Sequence, residues 1–249
     1  VIPILLLHAL GTTSGMWAAQ RVALRRAGHH VLTFDQGVHG EGTPTLASLV
    51  DDLTRMLDSE QVDDVVLAGS SMGGYVAMAH QCRHPGRVRA LALLGTRADA
   101  DSPQVAAGRE AFARMVLDPV ARPALVASLK PKLVGATTRA GRPEVLAELS
   151  SMVDSVDPRS LAWAQRAIAV RPDFCDAMRA ADVPSVVVMG DEDELVSLPE
   201  ARRLAEALPR SELVVLPGAG HLTPMESPDA VTAALVGLLR RVGAGSGAR

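Results

Sequence analysis

Six short apolar runs, each closed by a turn signal, constrain this chain more than any other feature it has. "IPILLLH" (2–8), "HVLTFD" (30–35), "DVVLAG" (64–69) and "VRALALLG" (88–95) come early, and "PSVVVMG" (184–190) and "SELVVLPG" (211–218) come late. Uninterrupted apolar runs of this length read as strands buried on both faces. Amphipathic stretches lie between them. In residues 45–60, Leu46, Leu49, Val50, Leu53, Met56 and Leu57 mark one face of a helix. Such strands alternating with helices predict an α/β fold whose mostly parallel sheet is covered by helices on both faces.

The alternation breaks once. From residue 98 to 181 no strand pattern occurs. Helical pieces are expected at 103–117, 119–134, 143–155 and 158–170, punctuated by Pro103, Pro119, Pro123, Pro143, Pro158 and Pro172. Helices near 198–208 and 226–241 accompany the two late strands. The reading is therefore a core built from 1–97 and 182–242, a helical cap inserted at 98–181, and a Gly-rich flexible tail at 243–249. A chain of 249 residues suits one domain with an insertion.

Within this frame, "VDDVVLAGSSMGGYVAMAHQ" reads strand, sharp turn, helix. A turn of that kind strains the residue at its apex and brings together the backbone two residues before and after it, so both flanking positions must be small. Centred on Ser71 they are Gly69 and Gly73; centred on Ser70 they would be Ala68 and Met72. The frame selects Ser71. Gly74 additionally lets the helix approach the sheet.

A serine hydroxyl needs a base, and the base needs an orienting carboxylate. On this architecture the chain order is Ser, acid, His. "GDEDEL" follows the strand at 184–190 and "GAGHLTP" follows the strand at 211–218, both at strand ends where open α/β sheets place their crevice. His221 is the base, carried by a loop freed by Gly218 and Gly220. The acid could come from Asp191, Glu192, Asp193 or Glu194. A residue directly after the strand still points along it, whereas one three positions past Gly190 has turned toward the crevice. This favours Asp193, with Asp191 as the alternative.

With "HALG", "GSSMGG", "GDED" and "PGAGH" at the expected relative positions, the chain resembles the α/β-hydrolase superfamily over nearly its whole length. It is most similar to small bacterial esterases and 3-oxoadipate enol-lactonase-like hydrolases. The resemblance implies an oxyanion hole formed by the backbone N–H groups of Leu10, in "HALG", and Met72, after the nucleophile. It also implies that the inserted helices cap the crevice and shape the substrate pocket. Trp163 and Phe174 are its candidate pocket aromatics, with core packing between cap helices as their alternative. Arg166 and Arg171 are candidates to meet a substrate carboxylate, with a solvated helix face as theirs. Two departures stand out: Ser70 replaces the histidine many relatives carry before the nucleophile, and "DQGVHGEG" (35–42) replaces the usual Asp-x-Pro/Arg-Gly-His-Gly-x-Ser turn.

The expected activity is hydrolysis of a small carboxylic ester or lactone through an acyl-enzyme, with no metal or organic cofactor. Ser71 at the apex argues against the aspartate nucleophile of dehalogenases and epoxide hydrolases. The single tyrosine, Tyr75, leaves none for the cap tyrosine pair typical of the latter. A C–C bond hydrolase or lyase with the same triad, or a small-molecule receptor on the same fold, are the competing classes.

His80 and His84 have a spacing that can chelate zinc, but Gln81 occupies the place of the glutamate in the zinc-protease pattern. As histidines in a helix's last turn they also suit the helix dipole. His29 and His30 begin a strand and face opposite ways. "HGEG" (39–42) is too short for a phosphate cradle. Cys82 and Cys175 lie far apart and read as buried thiols. A net charge of −3 and 2% aromatic content argue against nucleic-acid or membrane partners. The apolar opening lacks a basic n-region and is too short to span a bilayer, so the expectation is a cytoplasmic protein acting on a small molecule.

Overall fold

The computed structural model describes residues 2–35 and 42–246. Six parallel strands form one sheet: β1 (Ile4–Leu7), β2 (Val31–Phe34), β3 (Val65–Ser70), β4 (Val88–Leu94), β5 (Ser185–Gly190) and β6 (Ser211–Leu216). Their order across the sheet is β2-β1-β3-β4-β5-β6, with every adjacent pair parallel. β1 and β3 lie centrally and pair residue by residue, Leu7 opposite Gly69. The loops that follow them therefore emerge side by side at one end of the sheet.

Successive strand residues point to opposite faces, and the core divides accordingly. Leu5, Leu7, Val65, Leu67, Leu91, Leu93, Val187 and Met189 pack on one face with α2 (Leu46–Ser59), α3 (Met72–Arg83) and α10 (Leu198–Ala207). Ile4, Leu6, Val66, Ala68, Ala90, Ala92, Leu94, Val186 and Val188 pack on the other with α1 (Ala18–Arg26) and α12 (Pro228–Ser246). Burial on both sides is why the inner strands β1, β3, β4 and β5 are almost continuously apolar. The edge strands β2 and β6 are only partly buried, with Glu212 and Val215 exposed, because each lacks a neighbour on one side. The helix predicted at 45–60 becomes α2, opened by Thr45, whose hydroxyl accepts from the Ser48 amide.

The inserted segment is helical throughout its ordered elements: α4 (Pro103–Leu117), α5 (Arg122–Leu129), a 3₁₀ turn at Lys130–Leu133, α6 (Ala136–Gly141), α7 (Pro143–Ser155), α8 (Pro158–Ala169) and α9 (Cys175–Arg179). The single helix expected at 119–134 is two pieces. Pro123 sits in the first turn of α5, and Pro131 has no N–H to donate to the preceding turn, so the α-helical bonding stops and the chain tightens into the 3₁₀ turn. The helix expected near 226–241 is α12 (Pro228–Ser246), preceded by a short helix α11 (Thr223–Glu226) that the sequence pattern did not separate. Helix α12 runs through residues 243–246, into the stretch whose composition reads as tail, and 247–249 lie outside the described residues. Among the described residues no helix is long and apolar enough to cross a membrane.

Cys82 is exposed and Cys175 half-buried, not buried as expected; both are free thiols. Residues 36–41, which hold most of "DQGVHGEG" and of "HGEG", lie outside the described residues.

Candidate active site

Ser71 joins β3 to α3 with φ 51° and ψ −110°. A non-glycine residue with positive φ is uncommon, and holding it there costs about 1–3 kcal/mol. The neighbouring glycines make the turn sterically possible. A Cβ on Gly69 would lie 2.2 Å from the Gly73 carbonyl oxygen, and one on Gly73 would lie 2.3 Å from the Leu7 carbonyl oxygen. A Cβ on Gly74 would meet the Thr96 side chain at 2.6 Å. The two serines part company here. Ser70 is fully buried with its hydroxyl unpartnered among the described residues, whereas Ser71 is half-buried and lines a cavity of about 310 Å³. The Ser71 amide donates to the Leu94 carbonyl at 2.8 Å, and the Thr96 hydroxyl donates to the Ser71 carbonyl at 3.0 Å.

His221 lines the same cavity and is 3% exposed. Its Nδ1 lies 2.8 Å from Oδ2 of Asp193, whose side chain is wholly buried. The other carboxylate oxygen accepts from the amides of Leu195 (2.8 Å) and Val196 (3.0 Å). A carboxylate so held can fix the tautomer and orientation of an imidazole and leave Nε2 as the working nitrogen.

The Asp191 amide still donates to Leu216 as a continuation of the β5–β6 ladder, and its carboxylate accepts from Gly218 at 2.7 Å. Asp193 is turned away by the bond from its own amide back to the Gly190 carbonyl. Glu192 accepts from the amide and hydroxyl of Thr137 in the cap (2.7 and 2.6 Å), and Glu194 pairs with cap Arg139 at 2.9 Å. Gly190 is required where the two loops cross, since a Cβ there would lie 2.2 Å from the Ala219 carbonyl oxygen.

Leu10 lines the Ser71 cavity, and Met72 follows Ser71 directly in the chain. Residues Ala9–Thr12 form a turn closed by the Thr12 amide on the Ala9 carbonyl at 3.2 Å, with Gly11 at φ 74°. Met72 is the first residue of α3, so its amide has no acceptor within the helix. Leu10 also walls an adjoining pocket of about 300 Å³ that contains His8, Asp35 and Met72. His8 is buried, which pushes its imidazole below the usual histidine range.

The four cap residues expected in the pocket are not on the wall of the Ser71 cavity. Trp163, on α8, and Phe174, directly before α9, are buried in the main core with Met178 and Ala181. Arg166 pairs with Glu110 through two bonds of 2.9 and 3.0 Å. Arg171 is sunk against Asp101 at 2.7 Å, with its guanidinium 4.1 Å from the Tyr75 ring centre. The cations that do line the cavity are Arg97 and Arg109, beside Tyr75 and Gln165. Both reach the same wholly buried Asp101; Arg97 does so at 2.8 Å and also pairs with Glu200 at 2.8 Å. Arg109 donates to Gln165 at 2.9 Å. Burial pushes the Asp101 carboxyl up, but Arg109 and Arg171 outweigh it and hold the group below its usual range. Arg97, Arg109 and Arg171 with Asp101 and Glu200 form an ion-pair network with one positive charge in excess, and of its members only Arg97 and Arg109 line the cavity. Nothing in the sequence around Arg97 or Arg109 sets them apart from other surface-helix and loop arginines.

The His80–His84 rings lie 4.9 Å apart, centre to centre, but among the described residues no third ligand joins them. His80 is fully buried and its imidazole is driven down to about 4 by burial and by His84, Arg87 and Arg83. It is neutral at pH 7, so the favourable helix-dipole role expected of a charged histidine does not apply to it.

Residues 2–228 match the profile of the α/β-hydrolase fold. The chain belongs to the α/β-hydrolase family. Among solved α/β-hydrolase structures it is similar to a thermophilic esterase from Thermogutta terrifontis, at 34% identity over 97% of this chain and 90% of that one, with a TM-score of 0.91. It is also similar to the enol-lactonase from Burkholderia xenovorans LB400, at 30% identity over 96% and 92% of the two chains, with a TM-score of 0.85. A third relative is the dihydrolipoyllysine-residue acetyltransferase component of the acetoin cleaving system of Pseudomonas putida. It is 27% identical over 96% of this α/β-hydrolase chain, which spans only 64% of that longer protein.

Proposed function

We propose that the chain is a serine hydrolase that cleaves a small carboxylic ester or lactone through an acyl-enzyme intermediate. The observation that carries this reading is that the strained Ser71 and the Asp193-bound His221 face one cavity. Similarity to an esterase and an enol-lactonase supports the choice of bond.

In this reading Nε2 of His221 takes the Ser71 proton as Oγ attacks the substrate carbonyl. Asp193 stabilises the imidazolium that forms. The amides of Leu10 and Met72 donate to the tetrahedral oxyanion, each worth about 3 kcal/mol in the transition state. His221 then protonates the leaving oxygen, and a water activated by the same nitrogen releases the acid and restores Ser71. Every step uses groups of this chain and water. Arg97 and Arg109, with the positive charge in excess around them, favour substrates that carry a carboxylate away from the bond cleaved.

The test is hydrolysis of a panel of activated aryl esters, lactones and thioesters, comparing wild type with Ser71→Ala. The expected result is repeated turnover of esters or lactones by wild type and a loss of three or more orders of magnitude, roughly, in the variant. Saturable binding of these compounds without turnover by wild type would contradict the proposal.

A further inference from the structure

The loop that carries His221 is tied to the cap through one buried carboxylate. Glu226, 6% exposed, ends the short helix α11 five residues past the histidine. Its Oε2 accepts from the Gly220 amide (2.9 Å), the Gly135 amide (2.7 Å) and the Thr138 hydroxyl (2.8 Å). Its Oε1 accepts from the Leu222 amide at 3.1 Å, which also donates to the Leu133 carbonyl at 3.1 Å. The two amides that flank His221 are thus both fixed by Glu226. The other two partners, Gly135 and Thr138, belong to the cap at the start of α6. Cap Arg142 adds a bond from Nη1 to the Glu226 main-chain carbonyl at 2.7 Å. The two segments run so close at this point that a Cβ on Gly220 would lie 2.2 Å from the Gly135 nitrogen.

We propose that Glu226 is a positioning residue for His221: it clamps the backbone on both sides of the histidine and couples that loop to the cap. The proposal rests on the reading of His221 as the general base. A carboxylate suits this place because all four partners are donors, and an ionised carboxylate accepts at both oxygens without donating. Glutamine is nearly the same shape but has one acceptor oxygen. Three donors converge at the Oε2 position, so the glutamine oxygen belongs there and its NH₂ is left facing the Leu222 amide, donor against donor. Glu226→Gln therefore keeps the bonds to the cap and disturbs the backbone beside His221. Thr138→Val does the reverse, removing a cap donor and leaving both flanking amides paired.

The experiment measures kcat and KM on an activated ester, per active site titrated with a fluorophosphonate, together with the far-downfield proton resonance of His221 Nδ1–H. Titration removes unfolded protein from the count, so a residue that only supports the fold would lower Tm and leave kcat per site unchanged. The expected result for Glu226→Gln is a kcat about tenfold lower with KM within about twofold, and a shifted or exchange-broadened Nδ1–H resonance. A wild-type kcat per site with an unshifted resonance would overturn the proposal. Should Glu226→Gln fail to fold, Thr138→Val decides it: a kcat about threefold lower with a broadened resonance supports the coupling, and wild-type values of both overturn it. The resonance is read without turnover. Retained activity in Ser71→Ala would sink the serine-hydrolase reading, whereas an unmoved resonance in Glu226→Gln sinks only the role of Glu226.

Discussion

Acidification should weaken this fold through His80, and the size of the effect can be worked from its surroundings. The imidazole is fully buried on α3, the helix that begins at the Ser71 turn, and neither ring nitrogen has a hydrogen-bond partner among the described residues. Burial first, then the charges of His84, Arg87 and Arg83, bring its folded pKa from 6.5 to about 4. The unfolded chain therefore binds more protons than the folded one between those values. Stability is fully present above about pH 6.5 and is lost as pH falls toward 4. The linkage relation gives a loss of about 2 kcal/mol between pH 7 and pH 5, approaching about 3 kcal/mol near pH 4. His80→Leu removes this titration while keeping an apolar side chain in an apolar place. Urea unfolding of both proteins at pH 7 and pH 5 is the assay. Wild type should lose about 2 kcal/mol more than His80→Leu over that interval, because other titrating groups, buried His8 among them, are common to both. Equal losses in the two proteins would refute the argument that His80 is held neutral by its burial.

Further expectations concern the site. Asp193→Asn should lower kcat by about three to four orders of magnitude with Tm little changed, since the amide can fix the wrong imidazole tautomer; steady-state kinetics beside a thermal melt checks both halves. Gly69→Ala should destabilise strongly or prevent folding, because its Cβ would fall 2.2 Å from backbone, and denaturant midpoints or soluble yield will report it. Arg109→Gln should reduce the kcat/KM preference for esters of dicarboxylic acids over neutral esters of equal length by about tenfold. An unchanged ratio would remove Arg109 from substrate recognition.

The inner strands were legible because burial on both faces leaves a continuous apolar run. The pairing of Leu7 with Gly69 was not, since the two strands are not consecutive and nothing in the chain between them sets their register. The Ser71 frame was legible for a steric reason that the structure makes explicit: the Gly69 and Gly73 backbones meet. Asp193 could be preferred over Asp191 because a strand's direction persists for one residue beyond its end, and Asp191 does continue the ladder to Leu216. The pocket wall was not legible. Which face of α8 meets the core and which meets the cavity is set by packing against α4 and the sheet, and periodicity does not distinguish two partners on opposite sides of one helix. Trp163 consequently went to the core, Gln165 reached the cavity, and Ile168 borders both. Charged residues hide their roles further. Arg171 meets Asp101 from beyond the far end of α8, and Glu226 finds cap partners 88 and 91 positions away. No local spacing encodes such a meeting.

The most direct test of the central claim is to trap the acyl-enzyme. Wild type and Ser71→Ala are mixed rapidly with a slowly deacylating aryl ester, quenched in acid, digested and weighed by mass spectrometry. The account predicts an acyl adduct on the peptide that contains Ser71, at close to one per chain, accompanying a burst of the aryl alcohol, and neither in Ser71→Ala. An adduct on another residue, or turnover by Ser71→Ala at the wild-type rate, would contradict it.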